Sequence, residues 1–233
     1  MQNIVNEPRV ARGARVGKIA TFGSLGFLVA GLIISLTLQS SPLLLLSFVC
    51  LLLGLLVASV GTMNMNRWVR EPRADQALAA GLKGFDDRYL LYNYYLPAPH
   101  VLLSPVGLYV LTAMGQDGTI RFEGEKLHRD FSVKRILFFM AEEGLGRPFA
   151  EADAQVQAVR KFLGANGVGD GVEIQNVVVF YHPRAQLSIS EAPRPIANPK
   201  GLKKALRATH SPGEGLSSSQ YRQLRELFDQ AVG

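Results

Sequence analysis

The fold is decided by the stretch APHVLLSPVGLYVLTAMGQDGTI, residues 98–120. Within it, His100–Ser104 and Leu108–Met114 are rich in Val, Leu and Tyr, which favours β-strands, and Pro105-Val106-Gly107 supplies a tight turn between them. A second turn leads to a further strand candidate, Thr119–Phe122. The two long strands are apolar with little alternation, which is typical of strands covered on both faces. The stretch therefore predicts a buried central hairpin.

Helices and strands alternate around this hairpin, which indicates an α/β domain. Apolar residues recur at helical spacing from Ala74 to Phe85 and from Phe149 to Leu163. Further strand candidates are Tyr89–Leu96, Val177–Tyr181 and Leu187–Ile189, and Phe131–Ala141 is ambiguous between helix and strand. Two late helices have clear starts, with Asn198-Pro199 as an N-cap and first-turn pair and Ser217 with Gln220 as a capping box.

The hairpin carries a resemblance to a known family. His100, Ser104, Pro105, Gly107 and Gly118 fit, without a gap, the frame of the nuclease-related domain called NERD, a distant branch of the PD-(D/E)xK nuclease fold. In that family one strand begins with Ile-Asp-His, a Ser-Pro-x-Gly turn follows, and the next strand ends in Glu-x-Lys. The resemblance covers roughly residues 72–231 of this chain. It implies a restriction-endonuclease-like α/β domain with a central mixed sheet flanked by helices.

The family's catalytic positions are replaced in this chain. The resemblance puts Pro99 at the position of the family's aspartate, Thr112 at that of its glutamate and Met114 at that of its lysine. Asp75 stands where a helical glutamate completes the family's metal site, and it also fits as a first-turn acid favoured by the helix dipole. Glu151 replaces a glutamine of the Asn-Pro-x-x-Gln-Ala motif. Because Mg²⁺ needs clustered oxygen ligands, these losses predict a domain without a metal, a cofactor or nuclease activity.

Two apolar segments precede the domain. Ile19–Leu38 and Leu43–Met63 contain no charged residue, and each has about the ~20 residues that a helix needs to cross a bilayer. The short turn between them predicts a transmembrane helical hairpin. A cleaved signal peptide would have a shorter apolar core and a soluble chain after it. A buried helix pair in a soluble core is the other alternative, and it is disfavoured because these helices would be apolar all round with no polar face.

The flanks of these segments predict the orientation. Lys and Arg are enriched on the cytoplasmic side, so both termini should be cytoplasmic, in a multi-pass protein of the cell membrane whose first partner is the lipid bilayer. Trp68, the aromatic residue of the flanks, is expected at the membrane interface as an anchor. The flanking residues are Arg9, Arg12, Arg15 and Lys18 before the first segment, and Arg67, Trp68, Arg70 and Arg73 after the second. The predicted division is 1–18 basic terminus, 19–63 membrane hairpin, 64–73 basic linker and 74–233 NERD-like domain.

The basic character of the chain belongs mostly to these flanks. The chain has 25 Lys and Arg against 19 Asp and Glu, and seven of the basic and two of the acidic residues precede residue 74. The domain is therefore nearly neutral, whereas a nucleic-acid-binding domain usually has a basic footprint. Its one basic cluster could bind nucleic acid or another anion, or it could be a solvated face. Those candidates are Lys200, Lys203, Lys204 and Arg207.

The single cysteine and the four scattered histidines show no metal-ligand spacing. Three functions stay open. The first is a membrane-anchored, non-catalytic domain that binds a protein partner or another ligand. The second is a metal-dependent nuclease whose carboxylates have migrated, and the third is a structural module for membrane-protein assembly. The carboxylates considered for the second function are Asp75, Asp86, Asp117, Glu123 and Glu151.

Overall fold

A computed structural model of the chain describes residues 1–37, 41–124, 126–129, 146–209 and 215–233. The described residues form two compact units. One unit comprises residues 7–37 and 41–73. The other comprises residues 1–6 together with the described part of the chain from Ala74 onwards. The ambiguous stretch Phe131–Ala141 lies outside the described residues.

The first unit is a pair of long helices, α1 (Glu7–Thr37) and α2 (Ser41–Trp68). Both are long and apolar enough to cross a membrane, and they are the helices of the described chain that pass this test. Only 11% of the most apolar window of each helix is buried. Side chains such as Phe22 and Phe48 are about two-thirds exposed or more. Such outward apolar surface does not fit the alternative of a buried pair in a soluble core.

Small residues let the two helices approach each other. A Cβ on Gly31 would lie 2.9 Å from the Leu51 side chain, and one on Gly54 would lie 2.9 Å from Leu28. The buried Ser47 hydroxyl donates a 2.8 Å hydrogen bond to the Gly31 carbonyl across the pair. Close backbone approach and interhelical hydrogen bonds of this kind stabilise helix pairs in lipid.

The second unit is an α/β domain with two sheets. In chain order its elements are β1 (Gln2–Val5), α3 (Ala74–Leu82), β2 (Leu90–Asn93), β3 (His100–Ser104), β4 (Gly107–Met114), β5 (Gly118–Glu123), β6 (Lys126–Arg129), α4 (Pro148–Ala165), β7 (Ile174–Phe180), β8 (Ala185–Glu191), β9 (Ile196–Ala197), a 3₁₀ turn (Pro199–Gly201), α5 (Leu202–Ala208) and α6 (Ser218–Val232). The larger sheet has the order β1-β2-β3-β4-β7-β9, and the smaller has the order β6-β5-β8. In the larger sheet β3 runs antiparallel to both neighbours and the other pairs are parallel, so the predicted mixed sheet is confirmed.

Helices cover both faces of the larger sheet. One face packs against α4 and α6, with Val159 and Phe228 in its core, and the other packs against α3 and α5, with Leu78 and Leu202 in its core. Every residue of β3 is buried. This explains why the central strands are apolar on both sides, and it confirms the predicted flanking by helices.

The two predicted helix caps, which involve residues close together in the sequence, are confirmed. The Asn198 side chain accepts a 2.8 Å hydrogen bond from the Gly201 backbone N–H. Ser217 and Gln220 form both hydrogen bonds of the predicted capping box. By contrast, β2 is shorter than the predicted strand, because the chain turns away from the sheet at Tyr94, whose φ is +67°.

Two other features were not expected. Helix α1 begins at Glu7, twelve residues before the apolar segment, so the basic flank is itself helical. The predicted basic terminus 1–18 also contains β1, which pairs with β2 in parallel register. The chain therefore leaves the domain after its first six residues and returns to it at Ala74.

A substitution at Gly81 should destabilise the domain. Gly81 lies in α3, where an added Cβ would be 2.5 Å from the Pro199 carbonyl oxygen. A backbone atom cannot rotate away, so Gly81→Ala should push α3 off the 3₁₀ turn and lower the free energy of unfolding by about 2 kcal/mol. Gly164→Ala in α4 is the control, because nothing lies within 4 Å of its Cβ position. Urea unfolding of the full chain, followed by pulse proteolysis, measures both. Equal stability of the two variants would contradict this packing.

Candidate functional site

The positions that the NERD resemblance marks as catalytic meet at one end of the β3–β4 hairpin. Val101 pairs with Val110, and the register runs without a shift to Ser104 and Gly107. The pairing ends at Val101 and Val110, and the same register continued by two residues would set Pro99, just before β3, opposite Thr112. Directly opposed residues of an antiparallel pair share one face of the sheet. The hairpin thus has the geometry in which an aspartate and a glutamate at these positions would face each other.

Thr112 is fully buried, and its hydroxyl is held by amides. The hydroxyl donates a 3.1 Å hydrogen bond to Gln155 Oε1 and accepts a 2.9 Å hydrogen bond from Asn176 Nδ2. Gln155 in turn donates a 3.1 Å hydrogen bond to Glu151 Oε1. Glu151 is therefore connected to the hairpin only through a neutral amide. The Thr112 hydroxyl is neutral, and one of its two lone pairs already accepts a hydrogen bond from Asn176.

Met114 lies in an apolar cluster. It is 4% exposed and packs with Phe122, Ala152 and Phe180, among others. A thioether is at home in such a cluster, where a lysine ammonium would lose its hydration without an acidic partner. The position at which the family has a cation is therefore part of the hydrophobic core here.

Asp75 is joined to the same end of the hairpin. It opens α3, yet it is only 1% exposed and accepts a 3.2 Å hydrogen bond from the Tyr94 hydroxyl. The Tyr94 backbone N–H donates a 2.7 Å hydrogen bond to the Pro99 carbonyl. Asp75 was expected as an ordinary first-turn acid. It does lie in the first turn, but it is buried, and its hydrogen-bond partner Tyr94 has a left-handed backbone conformation.

A second buried polar group adjoins it. His100 Nδ1 lies 2.7 Å from Asn93 Oδ1, and Asn93 Nδ2 donates a 2.7 Å hydrogen bond to Asn3 Oδ1 on β1. The His100 and Tyr94 rings meet edge to face at 5.0 Å. The sequence indicated an isolated strand histidine. The structure instead puts it in a network that ties the three strands β1, β2 and β3 together.

The remaining candidate carboxylates lie apart. Asp86 pairs with Arg88 at 2.6 Å, and this hydrogen-bonded partner lowers the pKa of Asp86. Asp117 pairs with Arg184 at 2.6 Å on the smaller sheet, and Glu123 is exposed on β5. Across the described residues, no three His, Cys, Asp or Glu side chains lie close enough to share a metal ion. The structure thus does not bring the migrated-carboxylate candidates together in the part of the chain it describes.

The four residues of the basic cluster lie on different sides of the segment that carries them. The Lys203 ammonium lies 5.6 Å from the centre of the Phe85 ring, and Arg207 lines a cavity of about 280 Å³ on the same side. Lys204 instead lines a different cavity, and Lys200 is exposed on the 3₁₀ turn. These four residues therefore do not form one basic face.

The membrane-flank residues also separate into two groups. Six are exposed or half-buried at helix ends, namely Arg9, Arg12, Arg15, Lys18, Arg67 and Arg70, and Arg73 is half-buried just before α3. Trp68 differs, because it is only 8% exposed. A Cβ on Gly13 would lie 2.5 Å from its ring, and the Arg67 guanidinium lies 4.9 Å above the ring. The Trp68 ring thus fills the space that Gly13 leaves on α1, and its role as an interfacial anchor stays a prediction.

Comparison with known proteins adds no family. No protein-family model matches the chain, and no curated protein or solved structure proved similar to it. The resemblance to NERD stays a prediction.

Proposed function

We propose that the chain is a membrane-anchored α/β domain that binds a ligand or protein partner, and that its nuclease-like site is catalytically silent. The observation that carries this proposal is the environment of Thr112. Its hydroxyl is enclosed by the amides of Gln155 and Asn176, at the position where the resembling family has a metal-binding glutamate.

Charge explains why this end of the hairpin is a poor metal site. Mg²⁺ loses tightly bound water when it enters a site, and carboxylates compensate for that loss better than neutral oxygens. Pro99 has no side-chain oxygen, and Thr112 offers a neutral one. Asp75 is linked to Pro99 through Tyr94, which already donates a hydrogen bond to Asp75. Glu151 is linked to Thr112 through Gln155. The arrangement supports a restriction-endonuclease-like ancestry together with a loss of its chemistry.

The location we propose is the cytoplasmic face of the cell membrane. Two helices of suitable length and composition support insertion. The exposed basic residues at their outer ends support a cytoplasmic position for both termini, because such residues are retained on that side. A domain held there would act on a partner that reaches the membrane surface.

The test is a nuclease assay on the full chain in detergent, because the first residues of the chain belong to the domain's sheet. We expect no cleavage of single- or double-stranded DNA or RNA with Mg²⁺ or Mn²⁺. The comparison variant combines Asp75→Ala, Glu123→Ala and Glu151→Ala. Metal-dependent cleavage by the parent that disappears in this variant would overturn the proposal in favour of migrated carboxylates. Cleavage that is equal in both would indicate a contaminating nuclease or a site that uses Asp86 or Asp117.

A further inference from the structure

A cavity of about 280 Å³ opens beside the β3–β4 turn, and we call it the aromatic cavity. One wall consists of the Phe85 and Tyr89 rings, which stack at 4.3 Å with an angle of 7° between them. Leu102, Val106 and Leu206 supply other apolar surface. Its volume is slightly below the roughly 300–1,000 Å³ of sites for drug-sized ligands, so a small ligand fits it.

A buried phenol points to a polar ligand atom in this cavity. Tyr109 lines it and is 1% exposed, and its hydroxyl has no hydrogen-bond partner among the described residues. The Thr209 hydroxyl lies beside it, but the pair does not meet hydrogen-bond geometry, and Thr209 donates instead to the Leu206 carbonyl at 2.9 Å. Burial raises the pKa of Tyr109 and the nearby Thr209 hydroxyl lowers it by less, so the phenol keeps its proton and acts as a donor. Buried polar groups in folded proteins are nearly always hydrogen-bonded, which makes this unmatched donor informative.

The charge at the cavity is positive. Arg207 lines it and forms no ion pair within the described part of the chain, and no acidic side chain lines the cavity. Lys203, one helical turn before Arg207, lies over the Phe85 ring. Burial also raises the pKa of Tyr89, so this phenol is neutral and does not offset the cations. A guanidinium presents parallel N–H groups that match a carboxylate.

We propose that the aromatic cavity binds a small aromatic carboxylate. The ring of the ligand packs against Phe85 and Tyr89, its carboxylate pairs with Arg207, and the Tyr109 hydroxyl donates to one of its oxygens. The proposal rests on the proposed function, because it assigns the domain a ligand to bind. It does not depend on the state of the nuclease-like site, which lies at the other end of the β3–β4 hairpin from the turn that carries Val106.

The experiment is calorimetric titration of the full chain in detergent with 2-naphthoate, in the presence of EDTA so that no metal-dependent activity contributes. We expect saturable binding. Arg207→Gln should weaken it by about tenfold to a hundredfold, as loss of a charge-assisted hydrogen bond predicts. Tyr109→Phe, which keeps the ring, should weaken it by about twofold to tenfold. Lys204→Gln is the matched control, because it removes one charge from the same helix on the side of the other cavity.

Several outcomes would overturn the assignment. These are an absence of saturable binding, an equal loss in Arg207→Gln and Lys204→Gln, and binding of the neutral 2-naphthamide as tight as that of 2-naphthoate. Val106→Trp provides a second variant at the half-buried turn, and it should abolish binding by filling the space while leaving the far end of the hairpin unchanged. Retained binding in that variant would also contradict the site. Nuclease cleavage with intact naphthoate binding would defeat the proposed function alone.

Discussion

Ser40→Cys should react with a membrane-impermeant maleimide added outside intact cells, and Ser218→Cys should not. Both variants carry Cys50→Ala, which removes the single native cysteine. The physical reason is the pairing of β1 with β2, since residues before α1 and residues after α2 share one sheet. If the two helices cross a membrane, the segments on either side of the pair must lie on the same side. Because Lys and Arg are enriched on the cytoplasmic side of membrane helices, we predict from the exposed basic residues at the helix ends that this side is the cytoplasm.

The expected contrast is all-or-none, and it has a direct control. Ser218 is exposed at the start of α6, so Ser218→Cys should become fully labelled once the cells are permeabilised. Labelling of Ser218→Cys in intact cells, with protection of Ser40→Cys, would reverse the orientation. Labelling of both in intact cells would contradict a shared side for the two termini and with it the β1–β2 pairing.

The central hairpin and the helix caps could be predicted because their determinants are close in the sequence. Ser104 and Gly107 pair across a two-residue turn, and a capping box joins residues three positions apart. The strand β1 could not be predicted in this way. It has four residues, and its partner Leu90–Asn93 lies beyond the whole helix pair. Nothing in its own composition distinguishes it from a polar terminus.

In the candidate site, too, the surroundings of single side chains could not be predicted where they depend on residues distant in the sequence. The resemblance to NERD predicted that Pro99 and Thr112 replace a carboxylate pair, and this stays a prediction, while the hairpin itself is as the sequence indicated. The sequence did not indicate that Asp75 is buried, because this burial involves residues distant in the sequence, such as its hydrogen-bond partner Tyr94. The aromatic cavity was missed for a related reason. Phe85 and Arg207 lie on different elements, and only the packing of α5 against the sheet brings them together.

Asn93→Leu should lower the stability of the β1–β2–β3 region by about 3 kcal/mol. Asn93 is fully buried, and it bonds to His100 on one side and to Asn3 on the other. Leucine has the same number of side-chain heavy atoms and the same branching at Cγ, but it leaves the buried His100 nitrogen without that partner. An unmatched buried group costs about 1–3 kcal/mol, and the two lost hydrogen bonds add about 1 kcal/mol each at most.

Hydrogen exchange, read by mass spectrometry on the full chain, is the suitable measurement. The single tryptophan lies in the helix pair, so its fluorescence does not follow this region. Peptides that cover β1, β2 and β3 should exchange about a hundredfold faster or more in Asn93→Leu, while α1 and α2 should be unchanged. Asn3→Ala should have a smaller effect, because Asn3 is exposed and water replaces its partner. Asn166→Leu, at the exposed end of α4, is the matched control. If Asn93→Leu exchanged no faster than Asn166→Leu, the network would not hold β1 on the sheet. The shared side of the two termini would then depend on the basic flanks alone.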